Sequence, residues 1–318
     1  MLRRHRLWLL VALVLLIAAC GDQGGDGGDG GAPGTDEGGE EIVVQAANYD
    51  LSVGDESRFI AGVLTHDQLF VSYGSVDMKF FYLGTERGSG KAEEGPTATG
   101  RFLTIEGDPS TEGPVAGPAS EGRGVYAADV TFDRAGFWAV ELTAELEGEP
   151  KTGQAVFEVR EESLYPAVGE AAPRSKNLTL PSKAPERAVD SRAETTGIPD
   201  EILHRTTIKG SIEAGEPAVV VFSTPVYCVS RFCGPITDTV AELARDYSGR
   251  ANFIHVEVWW NFEKQVVNRT AGEWIFVKND LTEPWIFLIG ADGKIVQRWD
   301  NVATREEIEP FLKKLPAG

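Results

Sequence analysis

The sequence predicts a multidomain chain in which an all-β sandwich is followed by an α/β domain. Three observations predict it. Residues 42–160 carry short runs of period-two alternation separated by Gly, Pro and Asp clusters. From Pro217 the pattern changes to a continuous apolar strand, then a helical repeat, then strands again. A charge-rich stretch, 161–205, separates the two patterns.

Arg3, Arg4, His5 and Arg6 precede an apolar run from Leu7 to Ala19. The run is too short to span a bilayer and is laid out as a signal peptide. It ends Leu16-Ile17-Ala18-Ala19-Cys20, which resembles the lipobox of bacterial lipoproteins. The resemblance implies that residues 1–19 are removed and that Cys20 carries a diacylglycerol. Two acyl chains suffice for stable anchoring. The expected localisation is therefore the cell membrane, lipid-anchored on its extracytoplasmic face. Residues 20–41, mostly Gly, Asp, Glu and Pro, bury no apolar surface and are expected to form a flexible acidic tether.

Composition narrows the function. A net charge of -19 argues against nucleic acid or a polybasic membrane contact as partners. With Cys20 assigned to lipid, Cys228 and Cys233 remain for one disulfide in an oxidising compartment. A metal site built on cysteine alone needs more ligands, so no metal and no cofactor are expected.

In the β half, strands are expected near 58–64, 68–73, 76–82, 124–132, 136–143 and 154–159. Gly124–Phe132 followed by Ala135–Val140 resembles the closing hairpin of immunoglobulin-like domains in exported bacterial proteins, which implies an immunoglobulin-like sandwich over 42–160. The loops 84–100 and 107–124 are expected as surface loops. His66, in a turn, is expected to be solvated. Within 161–205, Val168-Gly169-Glu170-Ala171-Ala172-Pro173 resembles the lead-in to the first strand of membrane-anchored thiol-disulfide reductases and peroxiredoxins. Asn177-Leu178-Thr179 matches a glycosylation sequon to which no role is given.

Residues 206–318 form the α/β part. Pro217–Phe222 is a strand buried on both faces. Gly234-Pro235 opens a helix whose apolar face is Ile236, Val240, Leu243, Ala244 and Tyr247. Gly249 is placed to end it in a left-handed cap. Phe253–Val258 is the next strand, and Ala291-Asp292-Gly293 turns a hairpin. The last helix starts at Thr304, with Glu307 closing a capping box and Pro310 expected to kink it.

That order resembles thioredoxin, as do Cys233-Gly234-Pro235 and the Glu283-Pro284 step. The resemblance implies a thioredoxin-like domain with a cis-proline beside the sulfurs. The chain departs from the family because Ile236 occupies the second cysteine's place, and the spacing is Cys-x-x-x-x-Cys. Inside a regular helix these cysteines would lie too far apart to join; in a loop ahead of Pro235 they can meet. The positive end of the helix is expected to hold a thiolate on Cys233.

The expected function is a membrane-anchored, extracytoplasmic thiol-disulfide oxidoreductase acting on exported protein partners. Cys228 and Cys233 are the expected catalytic pair, Gly234 and Pro235 the helix N-terminus beneath them, and Glu283, Pro284 and Trp274 the substrate-binding residues. Two alternatives stand beside it. One is a peroxiredoxin-like peroxidase, for which the threonine of Thr224-Pro225 falls one position early. The other is a non-catalytic scaffold lipoprotein with a structural disulfide. A copper carrier would need a histidine in a later loop, whereas His255 falls in a strand and is expected to be half-exposed. Trp259 and Trp260 suit either an aromatic wall near the sulfurs or core filling, and Ser230-Arg231 is expected to be solvated.

Overall fold

A computed structural model of the chain describes residues 41–316, apart from 55, 88–90, 195–196 and 229. The signal peptide, Cys20 and nearly all of the expected tether lie outside the described residues. Among the described residues, no helix is long and apolar enough to cross a membrane.

Alternation builds the first region. It holds β1 (Ile42–Ala46), β2 (Glu56–Thr65), β3 (Phe70–Ser72), β4 (Ser75–Gly84), β5 (Glu93–Gly107), β6 (Val115–Gly117), β7 (Gly122–Thr131), β8 (Gly136–Leu146) and β9 (Glu149–Val159). In β4 the side chains of Val76, Met78 and Phe80 are buried while Ser75, Asp77 and Lys79 between them are exposed. That is how a strand with one face on a core must read. The pairing order is β6-β3-β2-β7-β5-β4-β8-β9, with β1 on β2. The Glu41 N–H donates to Thr152 O at 2.9 Å, so β1 also lies beside β9 and the sheet curls until its ends meet. Phe59, Phe80, Phe132, Trp138 and Phe157 fill the inside, with ring centroids 4.9–6.2 Å apart and mostly edge-to-face.

The second region contains α1 (Glu186–Val189), a 3-10 turn (Glu201–His204), α2 (Ile208–Ala214), β10 (Ala218–Ser223), α3 (Cys233–Tyr247) and β11 (Asn252–Glu257). Two small ribbons follow, β12 (Trp259–Asn261) with β13 (Val266–Val267), then α4 (Arg269–Ile275) and β14 (Phe276–Val277) with β15 (Asp280–Leu281). The chain closes with β16 (Trp285–Ile289), β17 (Ile295–Asp300) and α5 (Arg305–Lys314). The sheet order is β11-β10-β16-β17, in which β10 and β11 are parallel and the other pairs antiparallel. All six residues of β10 are buried, as an apolar run covered on both faces requires. The β16–β17 hairpin turns at Gly293, whose φ of 76° suits a residue without a Cβ.

The structure corrects the expected fold class. Of the described residues 43% are strand and 18% helix, and they are dominated by one large antiparallel sheet. A C-terminal α/β thioredoxin-like domain is not seen. Nor are there the two separate sheets of an immunoglobulin-like sandwich; one continuous nine-stranded sheet folds over itself, sandwich-like. The reason is physical. Periodicity fixes which residues face a core, and strands and helices duly form, but it does not fix which strand pairs with which or what packs on what. The described residues fall within one compact unit, in which the two regions pack together. Val302 and Phe232 pack onto Ile60, Leu103, Val125 and Ala127 of the large sheet. Arg58 on β2 reaches Glu307 on α5 at 2.7 Å.

Three local expectations also change. Helix α3 begins at Cys233, two residues before Pro235. It ends on a right-handed Ser248, and Gly249 takes no positive φ. Helix α5 is assigned through Pro310 without a break, while Glu307 reaches back to the Thr304 N–H at 3.2 Å.

Candidate functional site

Strand β10 delivers the chain to a loop, and the loop delivers it to α3. Thr224–Cys228 leave β10, and Arg231, with φ of 64°, reverses the backbone so that Cys233 becomes the first residue of the helix. Cys228 and Cys233 form a disulfide with Cα atoms 6.0 Å apart. The two sulfurs have different surroundings. Cys233 is fully buried, whereas Cys228 is half-buried. The Cys233 N–H donates to Cys228 Sγ at 3.3 Å, and the Ser230 hydroxyl lies 3.3 Å from the same atom. Both interactions, and with them the N-terminus of α3, are therefore aimed at Cys228 rather than Cys233. Below, Thr237 Oγ1 donates to Cys233 O at 2.7 Å and lies 2.7 Å from Ser223 Oγ, tying the first turn of α3 to the end of β10.

Glu283 stands beside the sulfurs: one of its carboxylate oxygens and both Sγ atoms lie within 4.8 Å of one another. Burial, with the charge of Glu257 added, pushes its carboxyl up to about 7. Its backbone is held from the large-sheet region, because the Tyr49 hydroxyl donates to Glu283 O at 2.6 Å. The Glu283-Pro284 peptide is cis. Tyr49, Tyr227, Ser230, Trp259, Phe262 and Glu283 line a cleft of about 650 Å³ at this point. Tyr227 and Phe262 stack at 4.1 Å, and Trp260 beyond them is 41% exposed.

The remaining expected residues fall as follows. Gly234 and Pro235 are in the first turn of α3, and Pro284 is buried ahead of β16. Trp274 is a core residue: it is buried on α4, packs on Phe222 and Phe287, and gives its indole N–H to Ser175 Oγ at 3.0 Å. Arg231 is exposed, and Asn177 is buried with its amide oxygen accepting from the Ile208 N–H. His66 carries a side-chain interaction of its own.

Sequence reasoning missed a buried polar cluster behind β10. His255, expected to be half-exposed, is 1% exposed. Its Nε2 lies 3.2 Å from Ser223 O and its Nδ1 3.4 Å from Asp190 Oδ2. His204 Nε2 is also 3.4 Å from Asp190 Oδ2, and Arg192 closes the group, donating to Oδ2 at 2.8 Å. Glu257 joins from the end of β11, accepting from the Ser191 N–H at 2.9 Å. Burial opposes ionisation of Asp190, but the His255 charge, the His204 ring beside it and the Arg192 guanidinium hold its carboxyl well below the usual range. Burial likewise opposes charge on His255, yet Asp190 and Glu257 push its pKa up. Burial pulls that of His204 down. Two imidazoles and a carboxylate are a metal-ligand set, but the oxygen they share is already taken by the Arg192 guanidinium. No signal in the sequence marked this group: Asp190 and His204 stand 51 or more residues before His255, in a stretch that reads as polar linker.

A scan against protein-family models finds no match, and no curated protein matches the chain.

Proposed function

We propose that this chain is a membrane-anchored, extracytoplasmic thiol-disulfide oxidoreductase acting on exported protein partners. The carrying observation is the asymmetry of the disulfide: a half-buried Cys228 whose sulfur receives the first N–H of a 15-residue helix, joined to a fully buried Cys233. A backbone N–H and the positive end of a helix both stabilise a thiolate, and a low-pKa thiolate is the attacking species in exchange. Cys228 is accordingly the attacking sulfur in this reading and Cys233 the resolving one, the reverse of the thiolate position drawn from the sequence. The aromatic cleft beside Cys228 offers an apolar wall on which a partner's chain can lie. The anchor in this reading rests on the sequence around Cys20.

Trapping tests it. Cys233→Ser, expressed in the exporting cell, should accumulate mixed disulfides with exported proteins through Cys228, while Cys228→Ser should accumulate far fewer. The couple should equilibrate with glutathione or dithiothreitol buffers. A potential far below about -300 mV would mark a structural staple and end the oxidoreductase reading. Cys20→Ser should release the protein from the membrane fraction.

A further inference from the structure

Exchange at a buried sulfur requires a proton. When the disulfide opens, Cys233 Sγ leaves as an anion inside the protein, where a bare charge is costly. A group that can hand it a proton must be within reach, protonated near neutral pH and shielded from cations. We propose that Glu283 is the proton donor and acceptor for thiol-disulfide exchange at Cys228–Cys233, an inference that rests on the oxidoreductase reading above.

The placement supports it. The carboxylate lies within 4.8 Å of both sulfurs, and Tyr49 holds the backbone that carries it. The titratable groups around it come from four elements. Tyr49 comes from the β1–β2 connection, Tyr227 from the cysteine loop and Asp280 from β15, all lining the same cleft, while Glu257 at the end of β11 acts through its charge. Among the described residues no Lys, Arg or His lines that cleft; Arg187 stands further out, donating to the Tyr227 hydroxyl at 3.1 Å. With acidic and phenolic neighbours and partial burial, the carboxyl is protonated into the neutral range, where a general acid is most effective.

The step balances as follows. A partner thiolate attacks Cys228 Sγ and its electron pair forms the mixed disulfide. The Cys228–Cys233 bond breaks, its pair passes to Cys233 Sγ, and the Glu283 carboxylic acid gives that sulfur its proton and becomes a carboxylate. The partner's second thiolate then attacks the partner sulfur of the mixed disulfide. Cys228 leaves as a thiolate held by the Cys233 N–H. The partner dithiol is oxidised by two electrons and the protein disulfide is reduced. In the opposite direction the Glu283 carboxylate removes the Cys233 proton.

The test is stopped-flow reduction of the full chain by dithiothreitol from pH 5.5 to 9, with rates expressed per dithiothreitol thiolate. The wild-type rate should fall as pH rises through about 7. Glu283→Gln should lose that inflection, reacting about tenfold slower at pH 6 with the gap closing by pH 9. Glu283→Asp, which keeps a carboxyl, should retain an inflection at a shifted midpoint. If Glu283→Gln keeps the wild-type profile, Glu283 is not the proton carrier, although the oxidoreductase reading survives. Should the glutamine variant fail to fold, an aspartate variant with unchanged rate and midpoint overturns the inference equally. A folded wild-type protein that dithiothreitol cannot reduce at any pH overturns both.

Discussion

Two buried charged clusters sit in this molecule, and they are built differently. The first joins the two regions. Arg58 spans from Glu307 at 2.7 Å to Val302 O, and Asp300 accepts from the Tyr49 N–H at 2.6 Å. Asp50 pairs with Arg298 at 2.8 Å, and the Ser163 hydroxyl donates to the same carboxylate. Each charge there faces an opposite charge or an aligned donor. The second, behind the disulfide, packs Asp190, Arg192, His204, His255 and Glu257 together, yet leaves both His204 nitrogens and His255 Nδ1 without an aligned hydrogen bond. The difference teaches that charge burial serves two ends here. A fully satisfied network fixes one geometry, whereas imidazoles with spare nitrogens can take up or release protons.

The largest expected effect comes from breaking the satisfied cluster. Arg58→Ala removes the guanidinium that Asp300 and Glu307 share, leaving Glu307 a looser 3.8 Å contact with Arg101, and should cost about 3–5 kcal/mol in denaturant unfolding. A loss under about 1 kcal/mol would mean that water reaches this interface. Reducing the disulfide should cost less, about 2 kcal/mol, because it closes a loop of only a few residues.

Smaller effects probe the unsatisfied cluster through pH. His255 has a raised folded-state pKa, so its stabilisation is present in full below its unfolded value and is lost as pH rises through the folded one. The wild-type melting temperature should therefore fall as pH rises above 6.5, and His255→Gln should flatten that fall. An unchanged slope would assign the titration elsewhere. Glu283 carries the same sign for a carboxyl. Its folded-state pKa is raised to about 7 by burial, so the protonated carboxyl costs nothing below about pH 4.5, and stability falls as pH rises through about 7 and the ionised form bears the desolvation cost. Glu283→Gln should raise the melting temperature at pH 8 and leave it nearly unchanged at pH 5; equal shifts at both would break the assignment.

Particular residues show what the sequence could reveal. The apolar run 218–222, the cysteine loop, the Gly293 hairpin and the Thr304–Glu307 cap are all governed by neighbours in the chain, and all form. The disulfide was legible from the cysteine count, whereas the expectation of Glu283-Pro284 beside it came from the thioredoxin resemblance and not from local spacing. What was hidden depends on distant partners. His255 looks like an ordinary strand residue until Asp190 is packed against it, and Trp274 looks like a wall of the site until Ser175 takes its N–H. The thioredoxin-like and immunoglobulin-like assignments failed at this level as well, since pairing order and packing partners leave little trace in local spacing.

The Tyr49 hydroxyl bond to Glu283 O spans 234 positions of chain. During synthesis Tyr49 emerges early, but the carbonyl it holds, and the Asp300 and Val302 contacts around it, arrive more than 200 residues later. Contacts of such long range form late. Cys228 and Cys233, five positions apart, can thus close their bond before the groups that surround them are in place.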